Sequence, residues 1–545
     1  MTESAALGLA RTAFRERSWA EAHRHFGTAD LGGDLSSADL ESYARACSLM
    51  GCDDDCVQLL DRAFLQWIDS GEREQAAECA FWLGFNLMNQ GQMAPAGGWF
   101  ARSGELAEAG PETSALRGLL LLPPALQELM QGDAASALGL FSRAHEVGRT
   151  VGHPELLALS GLGIGQAKIA VGEWAAGLVK LDEVMVAVTA GEVSPIVAGL
   201  VYCAVIIACH DTFDVRRAAE WTGALSRWCA AQPALVPFRG ECLVHRAQIL
   251  VLNGDWHEAA EQVRDACQRL ASPPGQPGIG TAYYEAAELH RLRGEYAAAE
   301  NSYRRASACG HEIQPGFALL RLAQGRVDAA LSGIRRALEE PGPALSRPRA
   351  LAASVEIELA AGQTTPARAA AEELAAIAAA GEVRLLQAMS SQAVGSVFLA
   401  EGDPRRALDE LRRASDIWRD LNAPYQGARV RVLHGECCRE LGDLDGAQLE
   451  FDAAAAVFWH LGARPDTMAL QGVSTPGIET ETQSLTPREI QVLRAVATGN
   501  TNRTIAETLF LSEKTVARHL SNIFAKLGIS SRSAATAYAF QHELM

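Results

Sequence analysis

Near the end of the chain, Lys514, Thr515, Ala517, Arg518, His519, Ser521, Asn522 and Lys526 fall within one short stretch, SEKTVARHLSNIFAKLG. Interleaved with them are Val516, Leu520, Ile523, Phe524 and Leu527, whose separations of 4, 3, 1 and 3 make one apolar stripe of a helix. Lys514, Ala517, Arg518, Ser521 and Asn522 are left facing outward. Donor-rich side chains on a rigid helix suit one chemistry, hydrogen bonding to the phosphates and base edges of a DNA groove. Arg518 suits either a bidentate contact to guanine or a phosphate contact. Lys514, His519, Asn522 and Lys526 suit phosphate or sugar oxygens, and Arg503 and Thr515 complete the candidate set.

Three further helices must hold this one. Thr486, Pro487 and Glu489 give a capped start with proline at the first helical position, and Ile490, Leu493 and Ala497 share a face before Gly499-Asn500 ends the segment. A second helix is expected from Asn502 to Leu509, capped by Thr501, with Ile505, Ala506 and Leu509 inward. A turn at Phe510-Leu511 leads to Ser512, the expected cap of the third helix, which Gly528 closes. A fourth runs from about Ser531 to His542. A helix, a short turn and a second helix with a polar outer face is the geometry that delivers a helix to the major groove.

The strings LTPRE and NRTIAETLFLSEKTVARHLSNIFAKLGISSRSAA closely resemble the LuxR-type (NarL/FixJ-type) DNA-binding domain of bacterial transcription regulators. The resemblance implies that the third helix reads double-stranded promoter DNA and that the fourth commonly forms a dimer contact, so a homodimer on DNA is expected. RNA polymerase is a further candidate partner. One position departs from the pattern: the base-facing residue after Val516 is often Lys or Arg in the family and is Ala517 here. Base reading would then rest on Arg518 and Ser521. A sigma-factor-like helix-turn-helix is a related alternative, which the KLGISSR closure disfavours.

Charge divides the chain in the same place. The 545 residues carry a net charge of −18, yet from Leu485 onward there are seven Lys+Arg against four Asp+Glu. The preceding chain has 41 basic against 62 acidic residues, so a small basic segment follows an acidic body. That body should be repelled by DNA. Only four lysines occur, and two of them, Lys514 and Lys526, lie in the third helix of the tail.

The body repeats. A Gly, often followed by Asp or Glu and an aromatic or aliphatic residue, precedes a small residue one helical turn on. Examples are Gly132-Asp-Ala-Ala-Ser-Ala137, Gly172-Glu-Trp-Ala-Ala-Gly177 and Gly254-Asp-Trp-His-Glu-Ala259. Gly294, Gly402 and Gly442 begin similar copies, and Gly51, Gly91, Gly325 and Gly362 weaker ones. Copies without the Gly lie near Ser18-Trp19 and Phe213-Asp214. The spacing clusters near 40 residues, giving about twelve units. Each unit reads as a helix pair: Gly for the tight turn, an acid at the start of the next helix, a small residue for close approach. The turn resembles that of tetratricopeptide repeats, although the period exceeds the usual one. Such arrays bind partner proteins, peptides or small ligands on their concave faces, and a ligand or partner of this kind is expected.

Other features are set aside. Gly161-Leu-Gly-Ile-Gly165 lies within a helical repeat, and no GxxxxGK[ST] phosphate loop occurs. His210, His245 and His257 are read as packing or surface residues, and no catalytic residue or cofactor is expected. Cys52-Asp-Asp-Asp-Cys56 invites a metal, but no second ligand pair is near in sequence, so a solvated turn is preferred and no metal is expected. Twelve cysteines, several on apolar faces such as Cys203, Cys209 and Cys229, no secretory core at the start and no apolar run long enough for a bilayer point to a reducing cytoplasm. Ser272–Gly278 and Pro341–Pro348 read as long inter-repeat loops, with hinges between blocks as the alternative.

The expectation is therefore an all-α, non-enzymatic chain: a tetratricopeptide-like helix-pair solenoid over 1–461, a flexible linker over 462–481 and a four-helix helix-turn-helix domain over 482–545. The matching function is a cytoplasmic transcription regulator whose array senses a ligand or partner. The alternative is an interaction scaffold whose DNA-binding domain is vestigial.

Overall fold

The computed structural model describes residues 3–108, 114–232, 235, 239–271, 278–340, 346–381, 383–473, 487–497, 500–509, 512–527 and 532–541. Among them are thirty α-helices and no strand. The chain divides into a unit ending at Met468 and a unit beginning at Ala469.

The first unit is a solenoid of antiparallel helix pairs, and its turns follow one rule. All ten glycines of the repeat pattern, strong and weak copies alike, have positive φ, from +71° at Gly362 to +93° at Gly172. The two copies without glycine adopt the same left-handed conformation with Arg17 (φ +58°) and Phe213 (φ +61°). Gly71, Gly152, Gly191, Gly310, Gly462 and Asn422 do so at the turns in between. The 40-residue period is thus two helices, and most of them end on a left-handed residue. Five positions beyond each turn of the repeat pattern stand Ala22, Cys56, Ala96, Ala137, Gly177, Ala218, Ala259, Ala299, Ala330, Ala367, Ala407 and Ala447, every one of them buried. These mark the crossings where the paired helices approach. At the closest, a Cβ on Gly177 would lie 2.7 Å from the carbonyl oxygen of Gly165, so the Gly161–Gly165 run serves packing. Three of the aspartates after the glycines cap the next helix: Asp133, Asp403 and Asp443 each accept from the amide three residues on, at 2.9–3.2 Å, whereas Asp255 after Gly254 makes no such bond.

The solenoid coils back on itself. Trp19 Nε1 donates to Gln232 Oε1 at 3.1 Å, across more than two hundred residues. The Arg349 guanidinium lies 4.6 Å from the Phe213 ring centre and donates to the carbonyl of His210 at 2.8 Å. The helix Arg239–Asn253 meets the helix Pro424–Glu440, and a Cβ on Gly254 would lie 2.7 Å from Pro424.

The irregular stretch expected from residue 462 begins as structure instead. Gly462 closes the helix Leu444–Leu461, and Arg464–Val473 is helical. Pro465 packs over Gly294, and Tyr425 donates to Asp466 Oδ2 at 3.3 Å. The polar composition concealed a helix that docks on the array through its first residues. Residues 474–481 lie outside the described residues, as do most of the Ser272–Gly278 and Pro341–Pro348 loops.

Charged and polar groups line the contacts between array helices. Arg429 meets Glu356 at 2.7 Å, and Gln248 donates to Glu285 at 2.9 Å. Burial raises the Glu285 carboxyl to about 7, against a smaller lowering by Gln248. His210 and His245 stack with ring centres 6.0 Å apart, and the Nε2 atom of each is buried without a protein partner. Burial pushes His245 down to about 4, with its Gln248 contact opposing.

Two predictions follow from these turns and this lining. Gly402→Ala, where a Cβ meets nothing within 4 Å, should cost about 1 kcal/mol through backbone conformation alone. Arg17→Gly should stabilise by up to about 1 kcal/mol, since it relieves the same conformation. Urea midpoints decide the matter, and equal midpoints for all three proteins would contradict it. His245 is held neutral in the folded chain and takes up a proton on unfolding below its ordinary value. Its contribution is therefore present near pH 7 and lost as the pH falls from about 6.5 towards 4, reaching about 2 kcal/mol at pH 5. Glu285 acts with the opposite sign over the same interval. His245→Asn should accordingly reduce the stability lost between pH 7 and pH 5 by about 2 kcal/mol, whereas an unchanged loss would contradict the assignment.

Candidate nucleic-acid interface

The second unit holds the helices Pro487–Ala497, Asn502–Leu509, Glu513–Leu527 and Arg532–Gln541. Their core is small: Val492, Leu493, Val496, Ile505, Ala506, Val516, Leu520, Ile523, Ala535 and Ala539 are buried, with Leu509, Phe524 and Leu527 packed at its edge. On the third helix this is the apolar stripe of the sequence turned inward; on the first, Val492 and Val496 join the expected Leu493 and Ala497, and the side chain of Ile490 lies outside the described residues. Ser512 and Thr501 cap as expected: the Ser512 hydroxyl accepts from the Thr515 amide at 3.1 Å, and Thr501 from the Thr504 amide at 3.3 Å. Thr486, Gly499, Phe510, Leu511 and Gly528 lie outside the described residues.

Burial of one side fixes what the other presents. Ala517, Arg518, Ser521 and Asn522 are exposed on the helix Glu513–Leu527, and Arg503 is exposed on the helix before it. His519 is half-buried. Thr515 is half-buried too, its hydroxyl 2.7 Å from that of Ser512, so it is engaged at the helix start. Lys514 belongs to the first turn of the helix, and its side chain lies outside the described residues. Lys526 is placed differently from its companions. Its ammonium meets Glu489 Oε2 at 2.7 Å, and that carboxylate is only 4% exposed. The pair joins the start of the first helix of the unit to the end of the third. Glu489, expected in a capping role, thus holds a lysine expected on phosphate.

Two arginines that the residue pattern alone did not single out complete the frame. Arg532 donates to Asn502 Oδ1 at 2.8 Å and to the carbonyl of Asn500. Arg488 donates to Gln491 at 2.7 Å and to the carbonyl of Leu509. Each satisfies a carbonyl near a helix end, where no helical partner exists. Nothing in periodicity signals this. The exposed face around Arg518 thus carries hydrogen-bond donors and acceptors on a helix packed into the core.

The sequence profile of the luxR family of bacterial regulatory proteins matches residues 483–539. The second unit carries a LuxR-family domain. The transcriptional regulatory protein LiaR of Bacillus subtilis (strain 168) is 44% identical over 63 residues, 12% of this chain and 30% of that protein. The nitrate/nitrite response regulator protein homolog of Haemophilus influenzae is 52% identical over 58 residues, 11% of this chain and 28% of its own. The response regulator protein VraR of Staphylococcus aureus (strain NCTC 8325 / PS 47) is 43% identical over 63 residues, 12% and 30% of the two chains. The chain thus spans less than a third of the length of these curated relatives, and the likeness lies in the LuxR-family domain. A solved structure of the APC/C hetero-tetramer Cut9–Hcn1 aligns with 87% of this chain and 94% of its own. Its TM-score of 0.41 and identity of 11% carry no argument.

The LuxR-family domain should respond to two substitutions in opposite ways. Lys526→Ala leaves the Glu489 carboxylate without its ammonium and should lower the stability of this unit by about 1–2 kcal/mol. Arg518→Ala removes an exposed side chain and should stay within about 0.5 kcal/mol. Hydrogen exchange at the buried amides of Val516 and Ile523 measures both, and equal effects would contradict the assigned roles.

Proposed function

We propose that the chain is a DNA-binding transcription regulator, with the LuxR-family domain as its reader of promoter DNA and the solenoid as its sensor. The observation that carries this reading is the exposed face of Glu513–Leu527, whose opposite side is locked into the core of that domain. Arg518 lies at the centre of the face and takes the guanine contact, with Ser521 beside it. Lys514, Arg503 and Asn522 engage phosphates or sugars, as does whatever part of Lys526 the carboxylate of Glu489 leaves free. A dimer on DNA and contact with RNA polymerase belong to the same reading, as do a non-enzymatic role and a cytoplasmic location. No helix among the described residues is long and apolar enough to cross a membrane.

Sensing by the array draws its support from polar groups left unmatched within it. His210 Nε2 and His245 Nε2 are buried without a protein partner, and His245 is linked through Gln248 to Glu285; a bound peptide, protein or small molecule that reached these nitrogens would satisfy them.

The test is a base-substitution series on an operator selected by the full chain from randomised duplexes. Arg518→Ala should reduce specific affinity by one to two decades and relax preference at one base pair per half-site, from a bidentate contact of about 1–3 kcal/mol. Lys514→Ala should weaken all sequences alike and flatten the log K against log[salt] slope by about 0.9. Uniform weakening by Arg518→Ala would move that residue to phosphate, and no selected sequence at all would favour a scaffold with a vestigial domain.

A further inference from the structure

The motif Cys52-Asp-Asp-Asp-Cys56 lacks a second ligand pair in sequence, and the fold divides it. Cys56 turns into the core, where its thiol faces Asn86 Oδ1 at 3.9 Å. Cys52 and Asp55 stay at the turn between the helices Ser37–Leu49 and Asp53–Asp69. There they meet His23, from the helix Trp19–Ala29 of the preceding pair. One imidazole nitrogen, the Cys52 Sγ and one Asp55 carboxylate oxygen all lie within 4.8 Å of one another. Among the described residues, none of these three side chains has a hydrogen-bond or ion-pair partner. The imidazole is nonetheless held in place. Tyr43 lies edge-on to it with ring centres 5.5 Å apart, and Tyr43 is itself stacked on Phe26.

We propose that His23, Cys52 and Asp55 form a binding site for a divalent transition metal of the zinc class, with water in the fourth position. The donor set argues for the class. A thiolate and an imidazole select zinc-like ions over magnesium and calcium, which take oxygen ligands. Three protein donors of mixed type with one position open is a familiar zinc arrangement. A tetrahedral centre with bonds of about 2.0–2.3 Å needs donor separations of about 3.3–3.6 Å. Small side-chain rotations at His23 and Asp55 would close that gap. The charge also fits. Asp53, Asp54 and Asp55 surround the turn, and among the described residues no Lys or Arg pairs with Asp55. A dication supplies the missing positive charge. On binding, the Cys52 thiol loses its proton to solvent and its sulfur becomes the ligand. The metal would then clamp the first helix pair to the second, at the N-terminal end of the array. This inference does not depend on the DNA-binding reading.

The test uses the reduced, metal-free full chain titrated with Co²⁺ and followed by thiolate-to-cobalt absorption in the near ultraviolet, with Zn²⁺ displacing it. Wild type should bind one equivalent. Cys52→Ser should abolish the band, and His23→Gln and Asp55→Asn should each weaken binding at least about tenfold. Cys309→Ser, at an exposed cysteine remote in sequence, should leave it unchanged. Circular dichroism of Asp55→Asn, a conservative change at an exposed position, separates ligand loss from misfolding. A band that survives Cys52→Ser, equal affinity in His23→Gln, loss of the band in Cys309→Ser, or no saturable binding to wild type would each overturn the proposal.

Discussion

Helices this short cannot stand alone. The longest of them has 18 residues, and isolated helices of such lengths are marginal in water. Every one must bury a side against a neighbour, and the chain meets this constraint by returning at close intervals. A left-handed residue ends most array helices, a side-chain cap starts some of those that follow, and a small residue one turn on lets the two axes approach. The solenoid is the repetition of that solution. Its second-order consequence is the coil, in which Trp19 reaches Gln232 and Phe213 reaches Arg349.

The same constraint shapes the LuxR-family domain. A core of about ten small and medium side chains leaves little margin, so polar ties matter more there than in the array. Lys526 on Glu489, Arg532 on Asn500 and Arg488 on Leu509 join helices that share little apolar area. The first of these ties joins Glu513–Leu527 to the helix Pro487–Ala497, with Val516, Leu520 and Ile523 inward. What remains outward, around Arg518, is a face of exposed side chains on a helix backbone that the core holds in place. A backbone held in this way is what groove recognition by direct contact needs.

Much of this was legible in the residues. Glycine spacing predicted the turns because only glycine takes a positive φ without strain, and the two copies lacking glycine were found by register alone. The apolar stripe of the third tail helix predicted its inward side, with Val516, Leu520 and Ile523 buried and Phe524 and Leu527 half-buried at the edge. What escaped was not periodic. The helix Arg464–Val473 reads as linker because its composition is polar, and only its contacts with Gly294 and Tyr425 reveal that its first residues pack on the array. Glu489 satisfies the spacing of a capping residue, and nothing in the sequence shows that Lys526, 37 residues on, reaches it. Likewise, Cys52 and Asp55 announce a cluster, but His23 joins them only through the packing of two helix pairs. Local pattern was readable where one helix or turn decided the outcome, and opaque where two distant helices did.

The central claim is that the face left exposed by Glu513–Leu527 is the one that meets DNA. Hydrogen exchange of the full chain, with and without a saturating duplex at low salt, tests it most directly. The account predicts slowed exchange in peptides covering Thr501–Lys526 and unchanged exchange across the array. Protection confined to the array, or none in Glu513–Leu527, would contradict it.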